Sequence, residues 1–155
     1  MEKTGGTIAN ATGKAQENFI ENRIISEGYV FVDKAKFLAA TSTLDQPVYT
    51  KQAFVGQSIF GTEMYCDFHL FHPEKHPDGL IIESKWQQSV GSVDEKYPYL
   101  VLNIKTKYPA KTIIILDGRG YKPKAKIWLR SQIGNNLIAV FDMSEFQVWA
   151  NKGGL

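Results

Sequence analysis

Apolar positions follow a helical period at the start of the chain and a strand period in its middle. Over residues 14–27, Ile20, Ile24 and Ile25 fall on one side of a helical wheel and Gly28 supplies a stop, which predicts a first helix. Glu17 and Glu21 point into the same apolar sector, where a carboxylate needs a partner. Residues 1–12, with Gly5, Gly6 and many small polar side chains, read as a flexible N-terminal arm ahead of a single domain over 13–155. Short apolar runs predict strands at 29–32, 48–54 and 57–60, with a helical turn at 34–40. Ser92 and Glu95 have the spacing of a capping box, so a helix is expected from there toward Ile104. The β-branched run at 112–116 predicts a buried strand, and Pro123 opens a helix that Gly134 ends. A buried strand at 137–141 follows, and Asp142 caps a last helix through Trp149 and Ala150. Strand, helix, strand, helix at the end implies a right-handed crossover between parallel strands. The class is α/β, with a mixed central sheet flanked by helices on both faces.

The chemistry concentrates in a hairpin. Asp67 is followed after fifteen residues by Glu83-Ser84-Lys85-Trp86-Gln87, and a loop rich in proline, glycine and charge separates two apolar runs. Strand alternation puts Glu83, Lys85 and Gln87 on one face and Ile82, Ser84 and Trp86 on the other. On the partner strand Tyr65, Asp67 and His69 share a face, opposite Cys66, Phe68 and Leu70. A register that aligns the strands brings Asp67 and Glu83 together with Lys85 beside them. Two carboxylates suit a hard divalent cation such as Mg²⁺. An adjacent lysine can orient or deprotonate a water that attacks a phosphodiester. The competing view, an exposed ion pair on a strand face, is weakened by the apolar run Leu80-Ile81-Ile82 that leads into Glu83.

These residues resemble the PD-(D/E)XK nuclease superfamily, of restriction-endonuclease-like fold, in its small bacterial and phage members with an E-x-K-x-Q motif. The similarity extends over residues 13–155 and includes the later Ile113-Ile114-Ile115-Leu116-Asp117-Gly118-Arg119. Cys66 stands where many members carry proline. The resemblance implies that Asp67, Glu83, Lys85 and Gln87 are catalytic and that Asp67 and Glu83 hold Mg²⁺, with Mn²⁺ as a substitute. It implies further that a first-helix glutamate, Glu17 before Glu21, completes the metal site. The implied activity is metal-dependent cleavage of DNA in the cytoplasm of a bacterial or phage-infected cell, by a chain that forms a homodimer or nicks each strand in turn. Two alternatives stay open: a non-cleaving DNA-binding or assembly subunit of the same fold, and a metal-dependent nucleotide phosphohydrolase.

Charge distribution refines this picture. The formal net charge is only +2. Between Asn103 and Arg130, however, eight basic residues face one acid, Asp117, so that stretch carries +7 against −5 for the rest. Such asymmetry suits a phosphate-facing edge. Lys96, Arg119, Lys122, Lys124 and Lys126 are the candidates for DNA contact. The turn Gly118-Arg119-Gly120 admits two readings, a phosphate cradle or a tight turn that needs glycine. One cysteine excludes a disulfide framework and a multi-cysteine zinc site, and Cys66 reads as a buried thiol. His69, His72 and His76 lie close together, but Pro73 and Pro77 forbid the helix that would align them as ligands, so they read as loop histidines, with His69 a possible neighbour of Asp67. No apolar run reaches the length of a membrane span and no secretory signal is visible, which points to a soluble protein of a reducing interior.

Overall fold

The computed structural model describes the backbone of residues 5–155 and the side chains from residue 11 onward. Six strands form one sheet in chain order: β1 (Val30–Phe31), β2 (Val48–Gln57), β3 (Glu63–His72), β4 (His76–Trp86), β5 (Lys111–Asp117) and β6 (Leu137–Phe141). The β2–β3 and β3–β4 pairs are antiparallel, whereas β1–β2, β4–β5 and β5–β6 are parallel. β4 therefore joins an antiparallel meander to a parallel half-sheet. Five helices cover the faces: α1 (Gly5–Ser26), α2 (Phe37–Thr43), α3 (Tyr97–Thr106), α4 (Pro123–Ser131) and α5 (Met143–Asn151).

Two apolar layers hold the sheet. On one side Ile20 and Ile24 of α1 and Phe146 of α5 pack with Phe68, Ile82 and Ile113. On the other, Val101 and Ile104 of α3 and Leu129 of α4 pack with Ile81, Ile114 and Leu116. β4 and β5 are covered on both faces, which explains why their sequences run apolar without alternation. The mixed sheet with helices on both faces is the architecture expected from the sequence. Among the described residues no helix is long and apolar enough to cross a membrane.

Several boundaries differ from the sequence pattern. α1 begins at Gly5, so residues 5–12, expected as a loose arm, carry its first turns; residues 1–4 lie outside the described residues. α2 starts three residues later than the helical turn expected at 34–40. β2 runs unbroken to Gln57, because a register shift between Phe54 and Gly56 absorbs the glycine, and the strand expected at 57–60 is a turn closed by Ser58 N–H donating to the Thr62 carbonyl and its return bonds. The Ser92–Glu95 capping box is not made: Ser92–Lys96 is a 3₁₀ turn without a side-chain cap, and α3 starts at Tyr97 with Pro98 in its first turn. By contrast, Asp142 caps α5 as expected, its carboxylate accepting from the Glu145 N–H at 2.8 Å.

Candidate active site

The antiparallel register decides whether the two acids meet. Phe68 pairs with Ile82 and Leu70 with Leu80, so Asp67 lies across from Glu83 where the two strands part. The Asp67 carboxylate closes the gap: its Oδ2 accepts from the Ser84 N–H at 2.7 Å. The expected alternation holds on β4. Ser84 faces α1, while Glu83 and Lys85 face the α3 side. On β3 it fails. Cys66 packs in the α3–α4 layer, whereas Phe68 and Leu70 pack in the α1–α5 layer. The slip falls at Asp67. Opposite it, between the paired residues Lys51 and Ala53, Gln52 has a left-handed φ of 52° and donates to Asp67 Oδ1 at 3.4 Å. The local irregularity re-aims the acid toward the end of β4.

Glu83 is 2% exposed. Its Oε1 accepts from the Tyr108 hydroxyl at 2.7 Å, and its Oε2 is 3.2 Å from the Lys85 ammonium. That ammonium is also 3.8 Å from Asp67 Oδ2. Burial pushes the Glu83 carboxyl up to about 7, against the pull of Lys85 and with a further push from Asp67. For Lys85 burial works toward loss of the proton, but the carboxylates of Glu83 and Asp67 outweigh it and hold the amine above the usual lysine range. Glu17 is raised by burial and by the charge of Asp67, with Lys51 and Lys85 in opposition, so it senses this site. Glu21 does not: its two oxygens take the Tyr49 hydroxyl and the Lys51 ammonium, each at 2.8 Å. Glu21 is thus committed to β2 and has no oxygen to spare for this site.

The donor set is all oxygen, and its carboxylates exceed the one ammonium between them, which fits a hard divalent cation. Among the described residues no group of three His, Cys, Asp or Glu side chains is arranged to hold a metal. A cation here would rest on the Asp67–Glu83 pair and fill its shell with carbonyl and water oxygens; Glu17 does not close a three-carboxylate cluster. Gln87 follows on the same α3 side of the strand. Its buried amide accepts from the Tyr97 hydroxyl at 2.8 Å and donates to the Gly120 carbonyl at 3.0 Å, so it ties the end of β4 to the glycine turn.

That turn is a packing device. Gly120 N–H donates to the Gln87 carbonyl at 2.8 Å, and a Cβ on Gly118 (φ 110°) or Gly120 would collide with the backbone of Gln87 or Ser89. Arg119 at its tip is exposed, as are Lys122, 3.9 Å from Asp94, and Lys124. Lys96 stands on the rim of a cavity that reaches Glu83 and Lys85. Lys126 differs from these: its side chain is largely buried and paired with Asp142 at 3.3 Å and Glu145 at 3.5 Å, so it fastens α4 to α5. His69 lies against Phe37, ring centroids 4.9 Å apart, and burial pushes it down to about 4; no hydrogen bond or ion pair joins it to Asp67. His72 accepts from backbone N–H groups of the β3–β4 turn, and His76 bonds the Gly154 carbonyl. Cys66 is buried, and its thiol is pushed up to about 12 by burial and then by the charge of Glu83.

One residue beneath this strand end is not among the candidates read from the sequence. Gln16 of α1 is 1% exposed, and its Nε2 donates to Ser84 Oγ at 2.8 Å, the Lys85 carbonyl at 3.2 Å and the Ile115 carbonyl at 3.3 Å. It fixes the backbone beneath Lys85. A buried glutamine on the apolar stripe of a helix is the sign that something polar lies opposite.

A six-stranded sheet that changes from antiparallel to parallel pairing at β4, with helices on both faces, is consistent with the restriction-endonuclease-like fold. The model of a PD-(D/E)XK nuclease superfamily domain matches residues 8–154, and the chain belongs to that superfamily. No curated protein and no solved structure matches it significantly. Membership carries nuclease-type chemistry, phosphodiester hydrolysis, and the superfamily's general use of divalent metal ions.

Proposed function

We propose that this protein is a Mg²⁺-dependent DNA endonuclease, with Mn²⁺ able to substitute. The observation that carries the reading is the Lys85 ammonium between Glu83 and Asp67, at 3.2 and 3.8 Å. Asp67 and Glu83 would hold the cation, which would supply Lewis-acid stabilisation of phosphoryl charge and lower the pKa of a nearby water. Lys85 enters charged and orients the attacking water against the phosphorus. It becomes able to take a proton only when its two carboxylates are otherwise neutralised. The water oxygen forms the new P–O bond and gives its proton to bulk solvent, and the bond to the departing sugar oxygen breaks as that oxygen takes a proton from a second solvent water. Tyr108 holds Glu83 and Gln16 holds the backbone of Lys85, so both keep their places without substrate. Arg119, Lys122, Lys124 and Lys96 contact phosphates. Cutting both strands takes two copies or two successive nicks.

Relaxation of supercoiled plasmid with Mg²⁺, set against EDTA, tests the reading. Lys85→Ala should leave DNA binding largely intact and lower turnover by about 10²–10⁴-fold. Wild-type nicking by that variant would place the chemistry elsewhere. A wild-type chain that leaves plasmid intact in Mg²⁺ and Mn²⁺ but binds it would be the non-cleaving subunit. Release of phosphate from free nucleotides without nicking would indicate the phosphohydrolase.

A further inference from the structure

A cavity of about 330 Å³ opens beside the acids and the lysine, and Glu83 and Lys85 form part of its wall. The rest of the wall is mostly apolar and aromatic, with Tyr65, Tyr97, Tyr99 and Leu100. Its volume is at the small end of the ~300–1,000 Å³ range for sites that enclose a small organic ligand. At its mouth the aromatics continue outward. Phe60, 77% exposed, stacks on Tyr99, 38% exposed, with centroids 5.5 Å apart and planes 15° from parallel. Across the cavity Tyr65 is exposed as well, with Phe54 edge-on to it at 5.9 Å. Apolar surface of this kind at a charged site calls for a partner with flat faces.

We propose that this cavity receives an unpaired nucleotide of the strand being cut, its base stacked at the Phe60–Tyr99 pair and its phosphate beside Lys85 and Lys96. The inference rests on the nuclease reading and names the substrate form that the site takes. A phosphate backbone gains nothing from an apolar wall, whereas a base does. In a duplex the base next to a phosphate is paired and stacked inward, out of reach of a concave wall that begins at the Glu83–Lys85 pair. Three tyrosine hydroxyls in the wall are already committed, that of Tyr108 to Glu83, that of Tyr97 to Gln87 and that of Tyr65 to Glu63. The base is therefore held by its face and not read by its edge, so the site is tolerant of sequence.

The test compares a labelled 12-nucleotide single strand with the blunt duplex of the same sequence, by fluorescence anisotropy in Ca²⁺ at fixed ionic strength. The single strand should bind at least about tenfold more tightly. Loss of one stacked base corresponds to about 5- to 150-fold. Tyr99→Ala, and independently the exposed Phe60→Ala, should lower single-strand affinity by that range and erase the preference, while Tyr99→Phe keeps it. Equal affinity for the two forms, or wild-type single-strand affinity in folded Tyr99→Ala and Phe60→Ala, overturns the inference. Lys85→Ala separates the two ideas. If its nicking is lost while the wild type shows no single-strand preference, only the cavity inference fails. If it nicks like wild type while the preference and its Tyr99 dependence hold, the cavity binds an unpaired nucleotide and the assignment of chemistry to Lys85 fails.

Discussion

Burial, with a smaller push from Asp67, opposes the charge of Glu83 more than Lys85 favours it, so the ionised carboxylate costs the metal-free fold stability above about pH 7. A group whose pKa in the folded state is raised stabilises the fold below its unfolded value of 4.5, and that stability is lost as pH rises through about 7. Glu83→Gln keeps an acceptor for Tyr108 and removes the charge. In EDTA at pH 8 it should raise the Tm by roughly 3–6 °C, the effect of about 1–2 kcal/mol on a domain of this size. The same variant, and Asp67→Asn, should weaken Mn²⁺ binding measured by calorimetric titration. Unchanged affinity in both would move the metal away from this pair, whatever the Tm does.

At the scale of elements, the docking of α1 on the sheet is tied by Glu21 to β2. Burial would raise the Glu21 pKa, but hydrogen bonds from Lys51 and Tyr49 outweigh it and hold it below 4.5. A lowered folded pKa contributes stability above the unfolded value and loses it as pH falls through the folded one. Wild type should therefore lose Tm more steeply below pH 4.5 than Glu21→Gln, and equal slopes in thermal melts from pH 6 to 3 would show that this tie contributes nothing. How much of each element could be read from the sequence follows from the range of the interactions that set it. β4 was legible because Leu80, Ile81 and Ile82 announce burial and Glu83 and Lys85 break it at strand spacing. β6 and the Asp142 cap were legible because propensity and capping act over a few residues. The face slip at Asp67 was not, since it depends on Gln52 of another strand. Nor was the role of Gln16, whose partners lie 68, 69 and 99 residues away. Lys126 misled for the same reason: its partner Asp142 is 16 residues on, at the cap of α5, so a helix start that reads as a basic surface is half interior.

Across the whole molecule, the positive stretch divides into cations that face solvent and cations that hold helices together. Lys122 and Lys124 belong to the first kind and Lys126 to the second. Changing Lys122 and Lys124 together to Ala should weaken binding uniformly across DNA sequences and flatten the log K against log salt slope by about 0.9 for each phosphate left without its cation. Lys126→Ala should leave that slope unchanged and lower the Tm. A larger fall in slope from Lys126 than from the pair would reverse the assignment. The turn between β5 and α4 has its own consequence for how this edge can vary. Gly118 and Gly120 are pressed against the main chain of residues 87 and 89, so neither tolerates a Cβ, while Arg119 between them is exposed. Drift at this tip is confined to a single letter. A saturation library over residues 118–120, selected only for folding, should return glycine at both ends and nearly every amino acid in the middle. Recovery of alanine at an outer position with unaltered Tm would show that the strand end yields. Whatever contact this protein makes with its substrate through that corner, selection can retune it by exchanging one side chain, and cannot do so by reshaping the loop.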